Sequence, residues 1–180
     1  MANIPSHVDG AGMCVSTSIE ILCHYLGLTD YYGFRDFCAQ EKGGGWPEKM
    51  DRQIAAFEKA RGITKRVPYL QYTGSNPGPV LERLDKAGLP FAHSYGYSPR
   101  YVNARNPRGV IQHMVANVKF SGKYSVVLDN NPMNDLHPET SQMFEWMTKE
   151  EMLKRAGGRE VWVFAWLAPP PPPVPISKVR

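Results

Sequence analysis

Val110-Ile-Gln-His-Met-Val-Ala-Asn-Val-Lys-Phe-Ser-Gly-Lys-Tyr-Ser-Val-Val-Leu-Asp-Asn130 holds two runs rich in β-branched and aromatic residues. Val110–Phe120 and Tyr124–Asn130 flank Ser121-Gly122, and strand formers on both sides of such a turn predict a β-hairpin. A two-residue turn at Ser121-Gly122 sets the register so that His113, at the start of the first strand, lies opposite Asn130, at the end of the second. Side chains directly opposite sit about 5 Å apart at Cβ, within reach of a hydrogen bond between an imidazole and an amide. If the turn is one residue different, Asp129 takes that place.

Outward from the hairpin, helical spacing dominates the N-terminal side. Residues 7–27 deliver Cys14 from the small-residue loop Gly10-Ala11-Gly12 into a run with Val15, Ile19, Leu22, Cys23 and Leu26 inward, stopped by Gly27. Tyr31–Gln40 reads as a shorter helix, ending near Gly43-Gly44-Gly45. Pro47 opens a helix to about residue 61, with Met50, Ile54, Phe57 and Ala60 inward and Gly62 as stop. Residues 64–72 look extended, with Pro68 suggesting an edge. A helix follows from Asn76, taken as cap, to Gly88, then a strand from Leu89 to Tyr97. Residues 98–109 are a polar, turn-rich loop suited to border a substrate. Beyond the hairpin, Thr148 caps a short helix over 148–156 and Glu160–Leu167 is a buried strand. The expected fold is α+β, with N-terminal helices packed on a C-terminal antiparallel sheet. The domain spans residues 1–168, and a Pro-rich extended tail occupies 169–180.

Composition narrows the class. With 180 residues, 42% hydrophobic and 21% charged, the chain suits one globular domain. A net charge of +4, spread along the chain with a loose cluster at Arg100, Arg105 and Arg108, argues against a nucleic-acid partner. Three cysteines are an odd count. Cys14 and Cys23 would stand about 13 Å apart on one helix, too far for a disulfide. No zinc-ligand spacing occurs, and neither a metal nor a cofactor is expected. These features suggest a reduced, cytoplasmic protein. No signal segment or membrane-spanning apolar run is read.

A cysteine in the first turn of a helix lies among unpaired amides at the positive end of the dipole, which favours thiolate. Cys14, His113 and Asn130 or Asp129 are therefore the nucleophile, base and orienting group that covalent catalysis needs. His7, His24, His93 and His137 compete as bases but have no partner set by so definite a geometry.

These pieces, in this order, resemble the papain-like cysteine peptidase superfamily. Within it they are most similar to compact bacterial and phage forms such as the bacteriocin-leader (double-glycine) peptidases. The resemblance rests on Gly12-Met-Cys14-Val-Ser-Thr-Ser-Ile-Glu20, His113-Met-Val-Ala-Asn-Val118 and Val127-Leu-Asp-Asn-Asn-Pro132. Trp146-Met-Thr-Lys-Glu-Glu-Met-Leu153 falls where such domains carry a helix before their last strand. It implies acyl transfer through a Cys14 thioester, with a peptide or protein substrate. It also implies an oxyanion donor upstream of the cysteine, usually glutamine; here His7 holds roughly that place, with Ser6 as substitute. Gly12 and Trp46 are expected to border the substrate. The competing expectation is a papain-like domain, catalytically weak or inactive, with a structural or binding role such as a minor component incorporated in a virion or secretion assembly, its Pro-rich tail contacting a protein partner.

Overall fold

The computed structural model describes residues 1–131, 144–156 and 160–169. Helices α1 (Cys14–Leu26), α2 (Phe34–Cys38) and α3 (Pro47–Arg61) come first, followed by β1 (Tyr69–Gly74), α4 (Gly78–Lys86) and β2 (Phe91–Tyr97). Then come β3 (Val110–Ser121), β4 (Tyr124–Leu128), β5 (Phe144–Thr148), α5 (Lys149–Ala156) and β6 (Val161–Trp166), with 3₁₀ turns at Thr29–Tyr31 and Pro99–Tyr101. The six strands form one sheet in the order β1-β6-β2-β3-β4-β5, and each neighbouring pair is antiparallel. The α+β expectation holds at this level.

Helix α1 is the central element. Gly27 adopts φ 70° and ends it, while the Leu28 amide donates back to the Cys23 carbonyl at 2.9 Å. The helix is buried on nearly all sides, since Ser16, Thr17, Ser18 and Glu20 are as inaccessible as Ile19 and Leu22. Its polar residues are spent inward. The Ser18 hydroxyl donates to the Met114 carbonyl on β3 at 2.9 Å, and the Glu20 carboxylate accepts the Gly33 and Arg35 amides that open α2. Helices α1–α3 bury Ile19, Leu22, Phe34, Ile54 and Phe57 with Met114, Phe164 and Trp166 from the sheet. A second core holds Leu81, Leu84, Val115, Val127, Met152 and Val163, placing α4 and α5 with the other sheet residues.

Several boundaries depart from the sequence reading. The second helix is a 3₁₀ turn followed by a five-residue α2, interrupted by Gly33 at φ 89°. The strand expected at 64–72 is displaced to Tyr69–Gly74. Asn76 does not cap α4, whose N-cap position is Pro77 with no side-chain cap bond. Residues 144–148, assigned by resemblance partly to a helix, are the edge strand β5, and Trp146 is 72% exposed on it. Thr148 does cap α5, its hydroxyl accepting the Glu151 amide at 3.1 Å. His137, the proposed glycine stop at 157–158 and the tail beyond Pro169 lie outside the described residues. Among the described residues no helix is long and apolar enough to cross a membrane.

The hairpin correction matters most for the site. Ser121 pairs with Tyr124, so the turn is Gly122-Lys123, with Gly122 at φ 60°, rather than Ser121-Gly122. An irregularity between Asn117 and Lys119 then shifts the pairing to Asn117↔Val127 and Ala116↔Leu128. Continued to the strand ends, this register sets Asn130 beside Met114 and puts Asp129 on the side carrying His113. A one-residue slip exchanges which side chain faces a given partner.

Candidate active site

Three segments meet at the N-terminal end of α1. Residues 5–12 form a small turn, with the Ser6 amide donating to the Ala11 carbonyl at 2.7 Å. This turn feeds Met13 and Cys14 into the helix. The start of β3 supplies His113, and the residues following β4 supply Asp129 and Asn130. The His113 Nε2 lies 2.7 Å from Asp129 Oδ1, and the two side chains are 2% and 1% exposed. Asp129 Oδ1 also accepts the Asn131 amide at 3.0 Å. With Nε2 held by the carboxylate, Nδ1 is the ring nitrogen left for the thiol.

Electrostatics couple the thiol and the ring. Burial opposes charge on Cys14, but the hydrogen bond and positive charge of His113 outweigh it, with amides of Met114 and Val15 adding to the effect. The thiol therefore titrates below its ordinary value. Burial likewise opposes the charged imidazole, yet hydrogen bonds to Asp129 and Cys14 and their negative charges raise His113 to about 9. The pair thus favours thiolate and imidazolium together. Cys23 and Cys38 are fully buried, and desolvation pushes both thiols well up.

A cleft of about 600 Å³ opens over Cys14 and His113. It is lined by Ala11, Gly12, Gly44 and Gly45 from the N-terminal segments and by Ser94, Tyr95, Gly96, Gln112 and Trp162 from β2, β3 and β6. The glycine wall is tied from behind. The ammonium of Lys49, 3% exposed, donates to the Gly44 carbonyl at 2.8 Å and also to the Lys42 carbonyl, while Asp9 accepts the Gly43 amide at 2.9 Å. Gly45 packs on Val15, where an added Cβ would come 2.7 Å from the valine Cβ.

The structure brings together Cys14, His113, Asp129 and Gly12. It does not bring Asn130 to the imidazole. That amide turns the other way, its nitrogen facing the Ser18 hydroxyl at 2.7 Å and the carbonyls of Cys14 and Met114 at 3.0 Å each. His7 is exposed and outside the cleft lining, and Ser6 commits its buried hydroxyl to the Glu41 carbonyl at 2.6 Å. The upstream position expected to hold an oxyanion donor is therefore a structural turn. Trp46, 51% exposed, is likewise absent from the lining, and the aromatic lining comes from Tyr95 and Trp162. His24 stacks on Tyr32 at 3.8 Å and pairs with Glu20, while His93 is sealed in β2.

Sequence reasoning left out Lys49, Trp162 and Arg100 as members of the site. Arg100 approaches Asp129 from the 98–109 loop, whose polar character was the available signal. Among the described residues no group of three or more His, Cys, Asp or Glu side chains could hold a metal ion. No family model, curated protein or solved structure matches the chain.

Proposed function

We propose that this protein is a papain-like cysteine hydrolase, a peptidase or amidase cleaving a peptide or isopeptide bond through a Cys14 thioester. The observation carrying the reading is the buried His113–Asp129 pair beside a thiol held below its ordinary titration range. In this mechanism the Cys14 thiolate attacks the carbonyl carbon, forming a C–S bond and an oxyanion. Collapse breaks the C–N bond, and the leaving amine takes its proton from His113. Water then attacks the thioester, giving a proton back to His113 and releasing a carboxylic acid and free Cys14. Asp129 holds the ring oriented throughout. Amides in the first turn of α1, Val15 among them, are the donors offered to the oxyanion. Glycines along one wall suit an extended backbone lying close against the protein.

The test is the rate of iodoacetamide labelling against pH, compared with Cys14→Ala and His113→Ala. Fast labelling near pH 6 that is absent in Cys14→Ala and moves to higher pH in His113→Ala is the expected result. A wild-type profile following a free thiol, with pKa about 8.5, overturns the reading.

A further inference from the structure

The carboxylate that holds His113 has a second oxygen, and it faces an arginine. Arg100 Nη1 lies 3.6 Å from Asp129 Oδ2, with the guanidinium side chain 13% exposed and the carboxylate 1%. The arginine is delivered by a loop braced for the purpose. Ser98, fully buried, accepts the Arg100 amide on its hydroxyl at 3.4 Å and donates its own amide to the Gly109 carbonyl at 3.0 Å. Gly109 has φ 59°, and an added Cβ there would stand 2.5 Å from the Ser98 carbonyl oxygen, so the loop closes only over glycine. Asn106 then pins the loop base, its side-chain oxygen accepting the Val110 amide at 3.1 Å and its nitrogen donating to the Val110 carbonyl at 3.0 Å. The next residue, Tyr101, sets its ring 6.1 Å from the His113 ring.

We infer that Arg100 is a positioning residue that acts on the nucleophile through Asp129. The inference rests on the hydrolase reading above and adds to it. Cys14, His113, Asp129 and Arg100 form a sequence of alternating charge when the thiol is ionised: thiolate, imidazolium, carboxylate, guanidinium. With Arg100 present the four groups sum to zero. Without it the same ionised state carries one net negative charge in a largely desolvated place, where charge interactions are strong. Arg100 therefore lowers the electrostatic cost of the reactive protonation state. Its removal raises the titration of both Cys14 and His113, because each would lose a proton against an uncompensated carboxylate. A role confined to bracing the loop would lower activity or stability without moving these titrations.

The experiment is the pH dependence of iodoacetamide labelling at Cys14 in wild type, Arg100→Gln, Arg100→Met and Arg100→Lys. Arg100→Met keeps the packing of the stem and serves if the glutamine variant fails to fold. The expected result is an alkaline displacement of the labelling midpoint by about one unit in the uncharged variants, about tenfold in thiolate population near neutral pH. Arg100→Lys restores most of it. Unmoved midpoints in folded uncharged variants, against a displaced wild-type midpoint, overturn the role of Arg100 alone. A wild-type midpoint at the ordinary thiol value overturns the hydrolase reading and this inference with it.

Discussion

Asp129 and Asn130 are neighbours with opposite duties. Asp129 bonds His113 at 2.7 Å, whereas Asn130 shares its amide hydrogens among three oxygens of α1 and β3. Substitution should separate the two. Asp129→Asn keeps the shape and removes the charge that supports the imidazolium, so thiol labelling near pH 6 should fall by about tenfold or more with a small change in Tm. Asn130→Ala removes the donor to the buried Ser18 hydroxyl and breaks the tie between α1 and β3, and should cost about 1–3 kcal/mol in denaturant unfolding. Equal effects on both readouts in both variants would contradict the division. The sequence made Cys14 and His113 legible, because a helix start and a strand start are local features. Choosing between Asp129 and Asn130 required the turn and the irregularity near Val118, which shift the register by one and leave no compositional mark. Arg100 was less accessible still, since its partner lies 29 positions away and only tertiary closure of the 98–109 loop joins them.

Among the elements, the Gly43–Gly45 segment bears most directly on the cleft. It lies against Ala11 and Val15, the residues around the nucleophile turn, and Lys49 gathers its carbonyls from the first turn of α3. Pro47 and Gly62 marked the ends of α3 correctly from sequence, because proline at the first position and glycine in the left-handed conformation are local requirements. The close approach of Gly45 to Val15 could not be read that way. Gly45→Ala should destabilise the fold by about 1–3 kcal/mol through overpacking, and Val15→Ala in the same chain should recover only part of the loss, since it removes the two γ-methyls at 2.8 Å but keeps the Cβ at 2.7 Å. Thermal unfolding of the single and double variants checks this, and additive losses would show that the two residues do not press on each other. The edge strand β5 was missed for a different reason. Phe144 and Trp146 are exposed while Glu145 and Met147 take the inward side, so the apolar alternation of Phe-Glu-Trp marks the solvent side and not the core.

Across the whole molecule, the sheet carries a buried titratable group apart from the proposed chemistry. His93 sits in the centre of β2, opposite Val115 on one side and Val163 on the other, fully buried and, among the described residues, with no hydrogen-bond partner on either ring nitrogen. Burial, with some repulsion from His113, lowers it from 6.5 to about 3. The folded protein thus keeps this ring neutral where the unfolded chain would protonate it. Its contribution to stability is complete above pH 6.5 and is lost progressively as pH falls from 6.5 towards 3. His93→Leu should flatten that acid limb, measured as Tm or urea midpoint between pH 7 and pH 4. An unchanged slope would show that His93 does not govern it.

The N-terminal segment is stitched to the far end of the hairpin: the Asn3 amide donates to the Asn130 carbonyl at 2.6 Å, and the Asn3 side chain to Asn131 at 2.9 Å. Cys14 and His113, the proposed nucleophile and base, therefore belong to stretches of chain about a hundred residues apart, and joining them carries a loop-closure entropy cost. During synthesis, a chain that has emerged through α3 already holds the sulfur but has no base to awaken it. At the elongation rates typical of ribosomes, several seconds or more pass before residues 113–130 follow. Reactivity of the proposed kind is in this sense a property of assembly: the sulfur stays an ordinary thiol while the nascent chain is open, and meets its imidazole only when β3 and β4 bring His113 and Asp129 to it.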